Sequence, residues 1–112
     1  MGILQSYVIV AAKPGQWDEA RRIARLQVDD ANSRPATLAY EIYEDAEQSH
    51  LINIAAYRDA DAWLAHTKSN PHSKAYMQVC ELVSLHVHGD PTPELRAIIE
   101  SFGSAKIYPP IA

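Results

Sequence analysis

The order in which apolar residues change their period restricts the fold of this chain more than any other feature. Residues 3–12, Ile-Leu-Gln-Ser-Tyr-Val-Ile-Val-Ala-Ala, are aliphatic and β-branched and stop at Lys13-Pro14-Gly15, which predicts a strand and a turn. Trp17, Ala20, Ala24, Val28 and Ala31 then recur at helical spacing with charged residues between them, an amphipathic helix that ends before Pro35. Residues 36–44 alternate Leu38, Tyr40 and Ile42 against Ala39, Glu41 and Tyr43, and residues 50–57 follow a polar turn at 45–49, so the two segments predict an antiparallel hairpin. Asp59 can cap a second helix, which Pro71 interrupts and which resumes over His72 to Leu82. Cys80 then falls in helix among Val79, Leu82 and Val83, as a small core residue. Val83, Leu85 and Val87 alternate with Ser84, His86 and His88 in a fourth strand, stopped by Gly89-Asp90-Pro91.

Strand, helix, strand, strand, helix, strand is the ferredoxin-like βαββαβ order of the α+β class. It predicts a four-stranded antiparallel sheet with both helices on one face. The third strand carries apolar groups on both parities, Ile52, Ile54 and Ala56 on one and Leu51, Ala55 and Tyr57 on the other. A sheet with one wet face alternates more cleanly, so the face away from the helices is expected to be covered by a second copy in a homodimer. After a core at 3–89, the tail 90–112 has Thr92 as N-cap, Pro93 at the first helical position, and Leu95, Ile98, Ile99 and Phe102 at helical spacing before Gly103. An extra C-terminal helix that docks on the body is expected, and residues 1–112 read as a single domain.

A net charge of -4 with scattered Lys and Arg gives no basic stripe, so nucleic acid is not an expected partner. No apolar run is long enough to span a bilayer and the one cysteine excludes an internal disulfide, which together point to a cytoplasmic protein without a membrane partner. Glycine-rich nucleotide loops and the serine elbow of hydrolases are missing from the sequence. His86 and His88 project from one strand face, but no second spaced pair supplies a third ligand, so no metal site is expected.

The informative residues are Asn53, Tyr57 and Trp63. Asn53 is a polar amide at the centre of an apolar strand, where burial without a partner costs roughly 1 to 3 kcal/mol. Tyr57 shares its parity and Trp63 opens the next helix, so the three can converge on a pocket for a flat, mostly apolar ligand; a core amide with two packing aromatics is the alternative. His66 and His72 are candidate proton acceptors near neutral pH, or solvated helix-end residues. Tyr43, Tyr76 and His86 are further candidates for substrate contact.

The stretch from Asn53 through Tyr57-Arg58-Asp59 and Trp63-Leu-Ala-His66 to Asn70-Pro-His72-Ser-Lys-Ala-Tyr76 resembles the antibiotic biosynthesis monooxygenase family. That resemblance implies pairing as a dimeric α+β barrel. In the family's cofactor-free members that oxidise anthrones or quinols, an asparagine on the third strand, a tryptophan and a tyrosine contact substrate. Asn53, Tyr57 and Trp63 stand at the same spacing with the two aromatics exchanged. Haem-degrading relatives use an asparagine and a histidine where this chain has Tyr7 and Met77. The resemblance therefore implies a monooxygenase that needs no cofactor, acting with molecular oxygen on a small aromatic, with Asn53, Trp63, His66 and His72 as catalytic candidates. A non-catalytic small-molecule-binding dimer, and an isomerase or cyclase working by proton transfer, stand as alternatives on the same scaffold.

Overall fold

In the computed structural model, which describes residues 2–111, nine elements follow in order: β1 (Leu4–Ala12), α1 (Trp17–Asn32), β2 (Thr37–Asp45), β3 (His50–Tyr57), α2 (Ala60–Ser69), α3 (Ser73–Val79), β4 (Cys80–His88), α4 (Pro93–Glu100) and β5 (Ala105–Tyr108). One sheet runs β2-β3-β1-β4-β5. The first four strands pair antiparallel, as the βαββαβ pattern predicts. The fifth corrects the expected four-stranded antiparallel sheet: β5 lies parallel to β4, with Ala105 opposite Leu85 and Tyr108 opposite His88, so the sheet is mixed. Four residues before Pro109-Pro110 are too short to show a period, and α4 supplies the crossover that a parallel pairing needs.

The second correction concerns Cys80. The helix after Pro71 ends at Val79, and Cys80 opens β4. Cys80, Glu81 and Leu82 pair with Ala12, Ala11 and Val10, so β4 runs the length of β1, and this ladder overrides the helical spacing. The thiol is buried, which pushes its pKa up to about 11 against a small opposing pull from Lys13. A one-residue bulge follows, because Val10 faces Leu82 while Ile9 faces Ser84. Val83 is the extra residue and is exposed; Leu82 and Leu85, three apart, therefore share the helix-covered face.

Two of the helices start at a side-chain cap. The Asp59 carboxylate accepts the Ala62 N–H at 2.9 Å and starts α2, while Thr92 caps α4 with Pro93 in its first turn. The face of the sheet beneath the helices buries Leu4 and Val10 of β1, Leu51 and Ala55 of β3, and Leu85 and Val87 of β4. The tail docks through Leu95 and Ile99, both fully buried against Leu4, Leu85 and Val87; Phe102, expected to dock with them, stays half exposed. Gly89 has φ 128°, and a Cβ there would meet Leu4 Cδ2 at 2.7 Å and the Ile3 carbonyl at 2.9 Å. Its N–H donates to the Tyr108 carbonyl at 2.9 Å, so this tight passage also ties β5 in place.

The opposite face of the sheet carries no helix. It presents Ile3, Tyr7 and Ile54 to solvent, together with Tyr43 of β2. His86 lies on this side in a T-shaped contact with Tyr108, ring centroids 5.6 Å apart. Among the described residues, no helix is long and apolar enough to cross a membrane.

Candidate active site

Between the helices and the sheet lies a cavity of about 180 Å³. The spacing of its lining follows from the elements. On α2 and its C-cap the inward positions are Trp63, His66, Thr67 and Asn70; on α3 they are Ser73, Tyr76 and Met77; on α4 and its end they are Leu95, Ile98, Ile99 and Phe102. The strands contribute Tyr40 from β2, Asn53 and Tyr57 from β3, and alternate residues of β1.

Asn53 is the centre of the polar part. Its Oδ1 accepts a hydrogen bond from the Tyr76 hydroxyl at 3.2 Å, and its Nδ2 donates to the Tyr40 hydroxyl at 3.4 Å. The amide that sequence left without a partner is thus held by two phenols. One amide N–H and the Tyr40 hydroxyl proton stay free for a ligand, because Asn53 Nδ2 carries two protons and Tyr40 uses only a lone pair here. Burial pushes the pKa of Tyr40 up, with the Asn53 hydrogen bond opposing. Burial likewise keeps Tyr57 and Tyr76 protonated far above neutral pH.

Trp63 and Tyr57 stack with ring centroids 5.3 Å apart and planes at 18°, forming one wall. His66, one turn after Trp63, is 6% exposed and lies 5.4 Å from the Tyr40 ring and 5.7 Å from that of Tyr57. Burial holds its pKa below the usual histidine value; the Arg34 charge pushes the same way and Asp30 opposes. The imidazole is therefore neutral at pH 7 and able to accept a proton. Its Nδ1 is buried without a hydrogen-bond partner.

Of the residues singled out from sequence, Asn53, Tyr57, Trp63, His66 and Tyr76 meet at this cavity. Three do not. His72 sits at the start of α3, where its backbone N–H donates to Asn70 Oδ1, and its side chain is not part of the lining. Tyr43 and His86 point to the open sheet face, since they pair with Ile52 and Tyr7 on the parity opposite Asn53. Sequence reading missed Tyr40 and Gln27. Tyr40 shares the parity of Ile42, which was legible; Gln27 sits on α1 between Ala24 and Ala31, and that apolar flanking was its one signal. Among the described residues, no group of three or more His, Cys, Asp or Glu is placed to hold a metal ion.

Comparison with known proteins gives this geometry a family. The antibiotic biosynthesis monooxygenase model matches residues 8–79, from within β1 to the end of α3. The chain belongs to the antibiotic biosynthesis monooxygenase family. Among solved structures this family member is similar to MupZ from Pseudomonas fluorescens, with 14% identity, a TM-score of 0.79, and coverage of 100% of this chain and 93% of that one. It is also similar to Rv0793 from Mycobacterium tuberculosis, at 17% identity and TM-score 0.67, covering 81% of this chain and 97% of that one. PA3566 from Pseudomonas aeruginosa follows at 19% and 0.65, covering 78% and 90%. These identities speak for the fold. No curated protein matches the sequence.

Proposed function

We propose that this monooxygenase-family protein oxidises a small, electron-rich hydroxyaromatic, a phenol or quinol of one or two rings, with molecular oxygen and without a cofactor. The observation that carries the reading is the pairing of a neutral, buried imidazole with neutral hydrogen-bond donors in one apolar cavity, His66 beside the Tyr76–Asn53–Tyr40 chain. Size supports it. An apolar cavity of roughly 150 Å³ admits benzene, so about 180 Å³ suits a substituted single ring and makes a three-ring anthrone a tight fit.

In this mechanism His66 takes the proton of the phenol. The anion's oxygen is met by the free N–H of Asn53 and the hydroxyl of Tyr40, donors that stabilise charge without being ionised themselves. Trp63 and Tyr57 hold the ring flat. The anion gives one electron to oxygen, the two radicals combine as a carbon–oxygen bond, and the proton on His66 completes a hydroperoxide. Loss of water leaves a quinone, so one oxygen atom enters the product and the other leaves as water. Oxygen uptake by the purified protein with a panel of quinols tests the reading, and a rate equal to that without protein would falsify it.

A second reading is favoured by one observation: the polar groups around the cavity are hydroxyls, amides and one neutral imidazole, with no Lys, Arg, Asp or Glu, which also suits proton transfer in an isomerase or cyclase. Turnover that persists without oxygen would select it, whereas saturable binding without product would leave a binding protein.

We also propose that the helix-free sheet face pairs with a second copy of the chain. Ile3, Tyr7, Tyr43 and Ile54 make that face more apolar than a solvated surface tolerates. The location in the cell proposed from sequence is the cytoplasm.

A further inference from the structure

We propose that the cavity selects a neutral amphiphile, with an oxygen-bearing head at Gln27, Asn53 and Tyr40 and an apolar body lying along α4. The inference rests on the cavity being a ligand site, and it names the class of compound that the site takes.

The sheet order divides the lining. β2 and β3 lie on one side and carry Tyr40 and Asn53, while β4 lies on the other and carries Leu82 and Leu85. The helices above extend the division. On α1, Gln27 stands between Ala24, clustered with Leu51 of β3, and Ala31, clustered with Ala55 of β3. On α4, Leu95 and Ile99 cluster with Leu85. One half of the cavity is thus amide and phenol, and the other is aliphatic.

Gln27 is 3% exposed, yet its Nε2 has no acceptor. The orientation of that amide is fixed by a chain of bonds starting at a backbone donor. The His72 N–H donates to Asn70 Oδ1, so Asn70 turns its Nδ2 toward Gln27 and donates to Oε1 at 3.1 Å. Gln27 cannot flip without losing that bond, and its Nε2 must face away as a donor. Gln27 lines the cavity, so an oxygen-bearing ligand there supplies the acceptor that the buried Nε2 lacks among the protein's own groups.

No Lys, Arg, Asp or Glu lines the cavity. An ammonium would enter without a counter-charge, and a carboxylate or phosphate would meet only His66, whose proton uptake burial opposes, so desolvation of the ion outweighs what the neutral donors return. An uncharged hydroxyl or carbonyl oxygen meets no such penalty. The apolar half has a separate origin in the chain. The family match ends at residue 79, before α4, and MupZ covers all of this chain while Rv0793 and PA3566 cover about four fifths. The wall that meets the ligand's body is therefore supplied from outside the matched segment, as expected of a part that sets specificity.

Titration calorimetry of the full chain with para-propylphenol, propylbenzene and para-propylbenzoate tests the assignment near neutral pH. The phenol should bind at least roughly tenfold more tightly than either of the others. Gln27→Met, which keeps the length and removes the donor, should weaken the phenol about tenfold and leave propylbenzene unchanged. Phe102→Ala, at a half-exposed position in the cavity lining, should weaken para-propylphenol severalfold and leave phenol itself unaffected. Benzoate binding as tightly as the phenol, no binding of any probe, or Gln27→Met binding the phenol like wild type would each overturn the proposal. If Gln27→Met does not fold, the wild-type preference and the Phe102→Ala comparison still decide. Oxygen is not read in these titrations, so absent oxygen uptake with the expected affinities sinks the proposed reaction alone.

Discussion

His66 couples the site to pH in two ways. Its pKa is held below the ordinary value near 6.5, so the imidazole is unprotonated above that value in both folded and unfolded chains. Below it the unfolded chain takes up a proton first, and stability falls with pH until the folded-state pKa is passed. The melting temperature of wild type should therefore drop more steeply than that of His66→Phe between about pH 6.5 and 5. In the proposed oxidation, activity should fall at lower pH than this, where the folded imidazole itself takes up a proton; a rate with no acidic limb at any pH at which the protein stays folded would remove His66 as the base. Asn53→Ala removes the partner of two buried phenols and should cost about 1 to 3 kcal/mol in urea unfolding. It should also slow quinol turnover by about tenfold or more, whereas Trp63→Ala should chiefly raise KM. Asn53 and Trp63 were legible because an amide in an apolar strand and a ring at the head of a helix each demand an environment. Gln27 was not, since a glutamine on a charged helix is ordinarily solvated; only the fold shows the side chain closed in beneath α2 and α3. His72 misled for the reverse reason: what the helix break uses is its backbone N–H.

Among the elements, the passage from β4 to α4 is the least forgiving. Gly89→Ala adds a methyl group 2.7 Å from Leu4 Cδ2 at a backbone angle that alanine rarely adopts. It should destabilise the chain by about 2 to 4 kcal/mol, read as a shift of the urea midpoint. Removing residues 90–112 should lower the melting temperature further, because Leu4, Leu85 and Val87 lose Leu95 and Ile99. An unchanged melting point would mean that the tail is not part of the core. Periodicity revealed β1 to β3, α1 and α4 because each is long enough to repeat. It missed β5 and misplaced Cys80 because a four-residue strand has no period and because pairing along β1, not local spacing, decides where β4 begins. The bulge at Val83 was equally hidden: alternation across 83–88 looks regular, and only the register against Ile9 and Val10 shows the extra residue.

At the scale of the molecule, the sheet serves two surfaces through neighbouring residues of the same strand. Asn53 faces the cavity while Ile54 faces outward. Apolar groups on both parities were the readable sign of this. Light scattering should give twice the 12.5 kDa of the chain, and Ile54→Lys should halve that mass without unfolding the protein. A wild-type mass of one chain at micromolar concentration would refute the pairing. The placement of β5 has one more outcome. A sheet that ended at β4 would offer nine residues of open ladder on that side; β5 covers the last four, Leu85 to His88, and is itself followed by two prolines that have no N–H to donate. Growth by adding strands from other molecules, the first step toward fibres, therefore has little purchase along that part of the margin, and the uncovered nine residues of β2 offer it the longer template.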